Sequence, residues 1–410
     1  MKILHTADWH LGKRLHSFDL LEDQQAFLDW ISSYMLKEQV DLLLIAGDIF
    51  DTAYPNLQSQ EIYTQFLAKL YSAEYPKQVI ITDGNHDGKS TLRITSNILK
   101  HLNVSVVCDV HENRNEHIIP VKNGDNIEMY VVAVPFLRDQ DLRKSSAEAG
   151  SLERSEVMKK ALRDFYNELA EKVQQINTEE KPVIAMGHLF TAGAESEDSD
   201  SERPIQMGHQ AGVSADIFSS IFDYVALGHI HRAQKFDTKT EVRYSGSPYP
   251  LSFSERNYEH KMWLIETDNK IKNIEAIKIP AYRKLVRLEG TFDNITSKAE
   301  TLGSVASFFP NLVEVHVKEE LYDPLLRSKI DEWKNQWHQR QEHSLVAKYT
   351  YAFEKKSETA SSLYDHEKIS QENFTAKNIF LDMLNKDTDL DENMKQNVVS
   401  AFESLENESH

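Results

Sequence analysis

Cysteine is almost missing from this chain: Cys108 is the single one in 410 residues. That excludes a disulfide framework and any zinc site built on thiolates, and it leaves Cys108 as a small buried hydrophobe. Long apolar runs are missing too. No stretch approaches the length of a membrane span, and Met1-Lys2 leads straight into a first strand without the apolar core of a signal peptide. The expected setting is therefore the cytoplasm, with no membrane. Positive charge is in short supply, with 46 Lys and Arg against 65 Asp and Glu and a net charge of −19. A protein that coats nucleic acid by electrostatics alone is excluded. A nuclease is not, because bound divalent metals and a local basic lining can supply the field where it is needed.

What is present is globular. Hydrophobic residues make up 40% of the chain and aromatics 10%, which excludes disorder as the general state, and the length accommodates two or three domains. Short apolar runs at Leu42–Ala46, Val79–Ile81, Tyr130–Val134, Val183–Met186 and Tyr224–Leu227 predict strands. Helical patterns at Asp23–Gln39, Leu57–Tyr71 and Glu153–Ile176 lie between several of them. That alternation predicts an α/β domain with layered sheets. After Leu227 the chain turns strand-rich, with Arg243-Tyr244 and Met262–Ile265 flanking the turn-prone SGSPYPLS.

Around Pro280 the style changes. Lys284–Leu288, Leu312–Val317 and Leu345–Phe353 read as strands, and Asp323-Pro324 as an N-cap and first-turn pair. Leu326, Ile330, Trp333 and Trp337 then share one helical face, which is most simply core. This predicts a small α+β domain. Beyond it, KKSETASSLYDHEKISQEN reads as a polar linker, followed by two short amphipathic helices carrying Ile379, Phe380, Met383 and Leu384, then Met394, Val398, Phe402 and Leu405. Ser357–His410 holds twelve Asp or Glu against four Lys, so this tail supplies −8 of the net charge. A further acidic loop, AESEDSDSE, occupies Ala194–Glu202.

The chemistry collects where the strands run out. The first strand ends in Asp8-Trp9-His10; Leu42–Ala46 ends in Gly47-Asp48; Val79–Ile81 is followed by Asp83-Gly84-Asn85-His86-Asp87. Val183–Met186 ends in Gly187-His188, and Tyr224–Leu227 in Gly228-His229-Ile230-His231. One such end is ordinary turn chemistry. Five ends with the same logic, four beside a glycine, point to one site at the carboxyl edge of the sheets. Asp8, His10, Asp48, Asn85, His188, His229 and His231 give seven side chains, enough for two metals if a carboxylate such as Asp48 bridges. Two ions ~3.5–4 Å apart can clamp the attacking and leaving oxygens of a phosphoryl displacement. A mixed oxygen and nitrogen set without sulfur suits manganese, with magnesium or iron as alternatives.

The motifs DWH, GDIFD, GNHD, MGH and GHIH follow the order of the calcineurin-like metallophosphoesterase superfamily. HTADWHLGK, SERPIQMG, YVALGHIHRAQ and RYSGSPYPLSFSE make the chain more closely similar to the SbcD family, the bacterial counterpart of the Mre nucleases, over roughly Met1 to Pro280. The resemblance implies an α/β β-sandwich flanked by helices over 1–279, a small α+β capping and DNA-binding domain over 280–355, and a linker with a helical partner-binding segment over 356–410. It implies that Asp8, His10, Asp48 and His231 hold one metal, and Asp48, Asn85, His188 and His229 the other. His86 matches the family's catalytic histidine, and Asp87 is placed in sequence to orient its ring and raise its pKa. Some relatives carry a further histidine where this chain has Asp51.

Lys13, Arg14, Lys89 and Arg232 lie beside the motifs as candidate phosphate contacts, with Arg138 and Arg143-Lys144 further off. His5, His101, His111, His117, His260, His316, His338 and His343 lack ligand spacing and read as core or surface residues. The resemblance also implies partners: DNA, and an SbcC-type coiled-coil ATPase bound through Phe380, Leu384, Val398 and Phe402, in a heterotetramer containing a homodimer of this chain. The expected function is that of a nuclease subunit in DNA repair, recombination and replication, acting as an exonuclease on duplex DNA and an endonuclease on single-stranded and hairpin DNA. A small-molecule phosphodiesterase or phosphomonoesterase on the same site, and a non-catalytic DNA-end tether, are the alternatives.

Overall fold

The computed structural model describes residues 1–99, 102–142, 151–194, 212–302, 307–340 and 343–353, and in the tail only Leu384, Lys395, Val398 and Val399. Apart from those four residues, the tail helices proposed from sequence therefore lie outside the described residues, as do Arg143-Lys144, most of the acidic loop, the SERPIQMG stretch and His101.

Among the described residues the strands form two six-stranded sheets, a three-stranded sheet and a short hairpin. The first sheet runs in the order Ile271–Lys278, Lys261–Thr267, Lys2–Thr6, Leu42–Ala46, Gln78–Thr82, Val104–Val107. Its last four strands are parallel, and Lys261–Thr267 is antiparallel to Lys2–Thr6. The second sheet has Val183–His188 at its centre, parallel to Tyr224–Gly228 on one side and to Asn126–Ala133 on the other.

Burial on both faces explains why these strands read as unbroken apolar runs and not as alternating ones. Ile3, Leu42, Leu44 and Ala46 of one sheet meet Ile184, Met186, Tyr224 and Ala226 of the other in a shared inner layer. The intervening residues face outward and are covered by helices. Leu4, Leu43 and Ile45 pack on Phe27 and Ile31 of the helix Leu21–Glu38 and on Phe66 and Leu67 of Leu57–Tyr71. Val183, Ala185 and Val225 pack on Phe165, Leu169 and Val173 of Ser151–Ile176. The result is helix, sheet, sheet, helix, with the carboxyl ends of the parallel strands Lys2–Thr6, Leu42–Ala46, Gln78–Thr82, Val183–His188 and Tyr224–Gly228 brought to one rim.

The remaining strands, Leu285–Gly290, Asn311–Glu319 and Ser344–Phe353, lie parallel with Asn311–Glu319 in the middle. The helices Phe292–Leu302 and Leu326–Arg340 serve as crossovers, and Leu326, Ile330, Trp333 and Trp337 fill the core of this unit. The second helix starts later than the Asp-Pro signal suggests: Asp323 Oδ1 accepts from the Leu325 N–H at 2.8 Å, so the pair forms the turn ahead of the helix. A cluster of Leu15, Leu20 and Phe253 with Leu285, Leu312 and Ala347 seats this unit on the sandwich.

Candidate metal centre

The strand ends hold their side chains by unusual backbone. Asp8, His10, Asp48 and His229 all have positive φ, at 54, 44, 50 and 113°, a region costly for residues with a Cβ and concentrated at functional sites. Neighbouring strand ends brace one another there. The Asp8 N–H donates to Gly47 O at 3.1 Å, and the His10 N–H to Asp48 O at 3.0 Å. Glycine is required alongside: a Cβ on Gly84 would run into the Asp48 carboxylate, and one on Gly228 into the Ala46 carbonyl.

The seven predicted side chains converge. Donor atoms of Asp8, His10 and His231 lie within 4.8 Å of one another, as do those of Asp8, Asp48 and His188. Asp48 Oδ2 sits 3.5 Å from His10 Nε2 and 3.3 Å from His188 Nε2, between the two groups. Asn85 Oδ1 lies 3.0 Å from His188 Nε2 and 3.0 Å from His229 Nδ1. Asp48 therefore lies between two overlapping groups of donors: Asp8, His10 and His231 on one side, and on the other His188, which Asn85 joins to His229, with Asp8 within reach of His188 as well. Asp8 Oδ2 and His10 Nε2 are buried with no hydrogen-bond partner, a cost that a cation relieves.

The electrostatics agree. Burial pushes the Asp8 carboxyl up to about 7 despite His188 and His231 nearby. Burial also opposes ionisation of Asp48, but the His188 imidazole beside it holds the carboxyl well below the usual range. His188 in turn rises to about 9 because Asp48 outweighs its burial, while burial takes His229 down to about 3 and His10 to about 4. Divalent charge at this point would ionise both carboxylates and keep the imidazoles neutral as ligands. The donor set fits metal.

His86 stands at the edge of the centre, its ring centroid 4.6 Å from that of His10. Here the structure corrects the sequence reading. Asp87 does not orient the His86 ring; its carboxylate accepts from the backbone N–H groups of Ile49 (3.1 Å), Phe50 (2.9 Å) and Gly84 (2.9 Å). Through these bonds Asp87 braces the Asp48 loop. His86 Nδ1 instead donates to the Asp51 carbonyl at 2.8 Å. Asp51 thereby does double work, since its Oδ1 lies 3.3 Å from His10 Nδ1.

Sequence reasoning missed two further residues. Glu255, fully buried in the SFSE stretch, holds His231 Nδ1 at 3.0 Å. Gln24, fully buried in the helix Leu21–Glu38, binds the His10 carbonyl (3.3 Å) and the Gly12 N–H (3.1 Å). Glu255 falls within the SGSPYPLSFSE stretch that carries the family resemblance, though nothing there singles it out; no signal marks Gln24. Of the candidate phosphate contacts, Lys13 lies 3.2 Å from Asp51 Oδ1, and Arg14 is exposed. Both line a cleft of about 210 Å³ with His16, Phe253 and Arg287. Lys89 faces Asp141 at 3.6 Å, and the Arg232 guanidinium lies 5.7 Å from the Tyr258 ring centroid. Three of the histidines without ligand spacing have hydrogen-bonding tasks away from the centre: His5 Nδ1 meets Tyr224 Oη at 2.9 Å, His260 Nδ1 the Ser247 carbonyl, and His338 Nε2 accepts from the Val346 N–H.

Residues 1–233 match the family model described as calcineurin-like phosphoesterase. A protein of Escherichia coli named as the SbcD component of the nuclease SbcCD is 33% identical over 332 residues, covering 80% of this chain and 81% of its own length. Proteins of the same name from Rhodobacter capsulatus and Staphylococcus epidermidis are 37% identical over 274 residues and 30% over 334, covering 65% and 80% of this chain and 66% and 82% of their own. Matches that cover 80% of this chain extend beyond His231 into the three-stranded unit. With its paired donor sets at the rim of a double-sheet sandwich, the chain is a metal-dependent phosphoesterase and belongs to the SbcD family of calcineurin-like metallophosphoesterases.

Proposed function

We propose that this chain is the nuclease subunit of an SbcCD-type complex, cutting duplex DNA from its ends and single-stranded or hairpin DNA internally under the control of a coiled-coil ATPase. The observation that carries the reading is the paired donor set sharing Asp48, in a chain alignable over four-fifths of its length with SbcD proteins. Asp8, His10, Asp48 and His231 hold one divalent ion, and Asp48, Asn85, His188 and His229 the other, with manganese the best match to the donors. When bound, such a pair supplies Lewis acidity and a nucleophile at neutral pH.

The chain's own residues do the rest. The Asp51 carbonyl accepts from His86 Nδ1–H and so leaves Nε2 as the nitrogen that carries a proton to the departing sugar oxygen. Lys13 and Arg14, together with Lys89 and Arg232, line the approach and contact backbone phosphates. The three-stranded unit over 280–355 caps the site as a DNA-binding domain. The segment over 356–410 docks the ATPase through Phe380, Leu384, Val398 and Phe402, in a heterotetramer built on a dimer of this chain in the cytoplasm.

The test is to incubate the purified chain with linear duplex, hairpin and single-stranded DNA and with a nitrophenyl phosphodiester, with manganese and with chelator. Manganese-dependent shortening of DNA supports the reading. Turnover of the small ester with DNA left whole replaces it with a small-molecule phosphodiesterase, and binding without any cleavage replaces it with an end tether.

A further inference from the structure

The two donor sets are held in different ways. His188 is fixed from inside the sandwich, where its Nδ1 donates to the Ala46 carbonyl at 2.9 Å. His231 and the His10 loop are fixed from outside it. Glu255 Oε1 binds His231 Nδ1, and its Oε2 accepts from the Leu251 N–H at 2.8 Å. Two residues before Glu255, Phe253 is buried against Leu285, Leu312 and Ala347 of the three-stranded unit. On the opposite side Gln24 pins the strained His10–Gly12 loop. Next to it in the helix, Asp23 is bound by Arg283 through Nε at 2.7 and 2.9 Å. Arg283 also donates to Pro310 O at 3.2 Å and stacks on Phe309, both in the segment leading into the central strand of that unit.

Both supports of the Asp8, His10 and His231 set thus rest on the same body. We propose that Glu255 and Gln24 are positioning residues for this half of the metal centre alone, and that the three-stranded unit sets its metal affinity by seating Phe253 and Arg283. The unit then acts on the site even with no substrate bound: displace it, and one ion is released while the Asn85, His188 and His229 half keeps its own. Carboxylates behind a ligating histidine are worth ten- to hundred-fold in metal affinity when removed, which sets the scale of the effect.

The inference rests on the metal reading above, and manganese binding by the full chain separates the two. Manganese titration followed by paramagnetic resonance should show the wild-type chain taking up an exchange-coupled pair. Glu255→Gln should weaken one binding step ten- to hundred-fold, leave the other within two-fold, and replace the coupled signal at intermediate manganese by that of isolated ions. Gln24→Met should weaken the same step, and it decides the matter if Glu255→Gln loses its cooperative melt. Phe253→Ala should shift that step in the same direction; unchanged binding there overturns the part assigned to the three-stranded unit. Both steps weakened alike, or neither, overturns the inference while the metal reading stands. A wild-type chain that takes up no pair overturns the metal reading itself.

Discussion

Asp48 and His231 make unequal demands on the centre. Asp48 Oδ2 faces donors of both sets, whereas His231 groups with Asp8 and His10. Asp48→Asn should therefore strip both ions, and His231→Ala mainly one, as metal content by mass spectrometry will show; full occupancy in the Asp48 variant removes the bridge. His86 and Asp87 separate just as sharply. His86→Ala should keep its metals and lose on the order of 10²–10⁴-fold in turnover, with the loss shrinking on esters that have good leaving groups. Asp87→Asn keeps one acceptor oxygen but turns the other into an NH2 group facing backbone N–H donors, so it loses one or two of the three hydrogen bonds, each worth on the order of 1 kcal/mol or more. It should lower the melting temperature, and its activity loss should be the same for good and poor leaving groups. A leaving-group dependence in that variant would return Asp87 to the proton relay.

At the scale of elements, the strands that carry ligands were the easiest to read and the supports behind them the hardest. Leu42–Ala46 and Val183–Met186 announce themselves because both faces are buried, so every position is apolar. Ile118–Asn123 does not, since it lies at a sheet edge and carries Pro120 and Lys122, which an edge tolerates. The helices Lys89–Leu99 and Phe292–Leu302 run only 11 residues each, which leaves about three turns of periodicity to read. Glu255 and Gln24 act across the fold, on partners 24 and 14 residues away in sequence, and no local pattern encodes such a contact. His117 is another tertiary task hidden in a loop. Its Nδ1 donates to Ala133 O at 3.0 Å and its Nε2 accepts from the His111 N–H at 3.1 Å, so only the neutral ring satisfies both. Burial accordingly lowers its pKa to about 4. The unfolded ring binds its proton near 6.5, so stability is complete above that pH and declines as the pH falls towards 4. Across that window the loss amounts to roughly 3 kcal/mol at most. Urea unfolding should find His117→Gln less stable than wild type at pH 7.5, with the gap closing by about pH 4.5; a constant gap would mean that the ring titrates normally.

For the whole molecule the governing quantity is charge. At −19 the chain has little long-range attraction for a polyanion, and the cations near the site are already engaged in part: Lys13 with Asp51, Lys89 with Asp141, Arg287 with Glu314. Under the proposed function something else must bring duplex DNA to the metals, and a partner that binds DNA and uses ATP meets that need. The sequence beyond Lys356 has the composition of a docking element, a polar linker followed by two amphipathic stretches too short to be stable helices alone in water. Truncation after Lys356 removes −8 of the net charge along with Phe380, Leu384, Val398 and Phe402, and leaves the sandwich and the three-stranded unit intact. The truncated chain should keep its manganese-dependent cleavage of single-stranded DNA within a few-fold of the full chain. It should fail to co-purify with the coiled-coil ATPase and so lose ATP-dependent cleavage of duplex ends. Association retained after truncation would move the interface onto the three-stranded unit between Pro280 and Phe353. There Leu321, Tyr322 and Leu325 are exposed apolar side chains, and substituting them would be the next measurement.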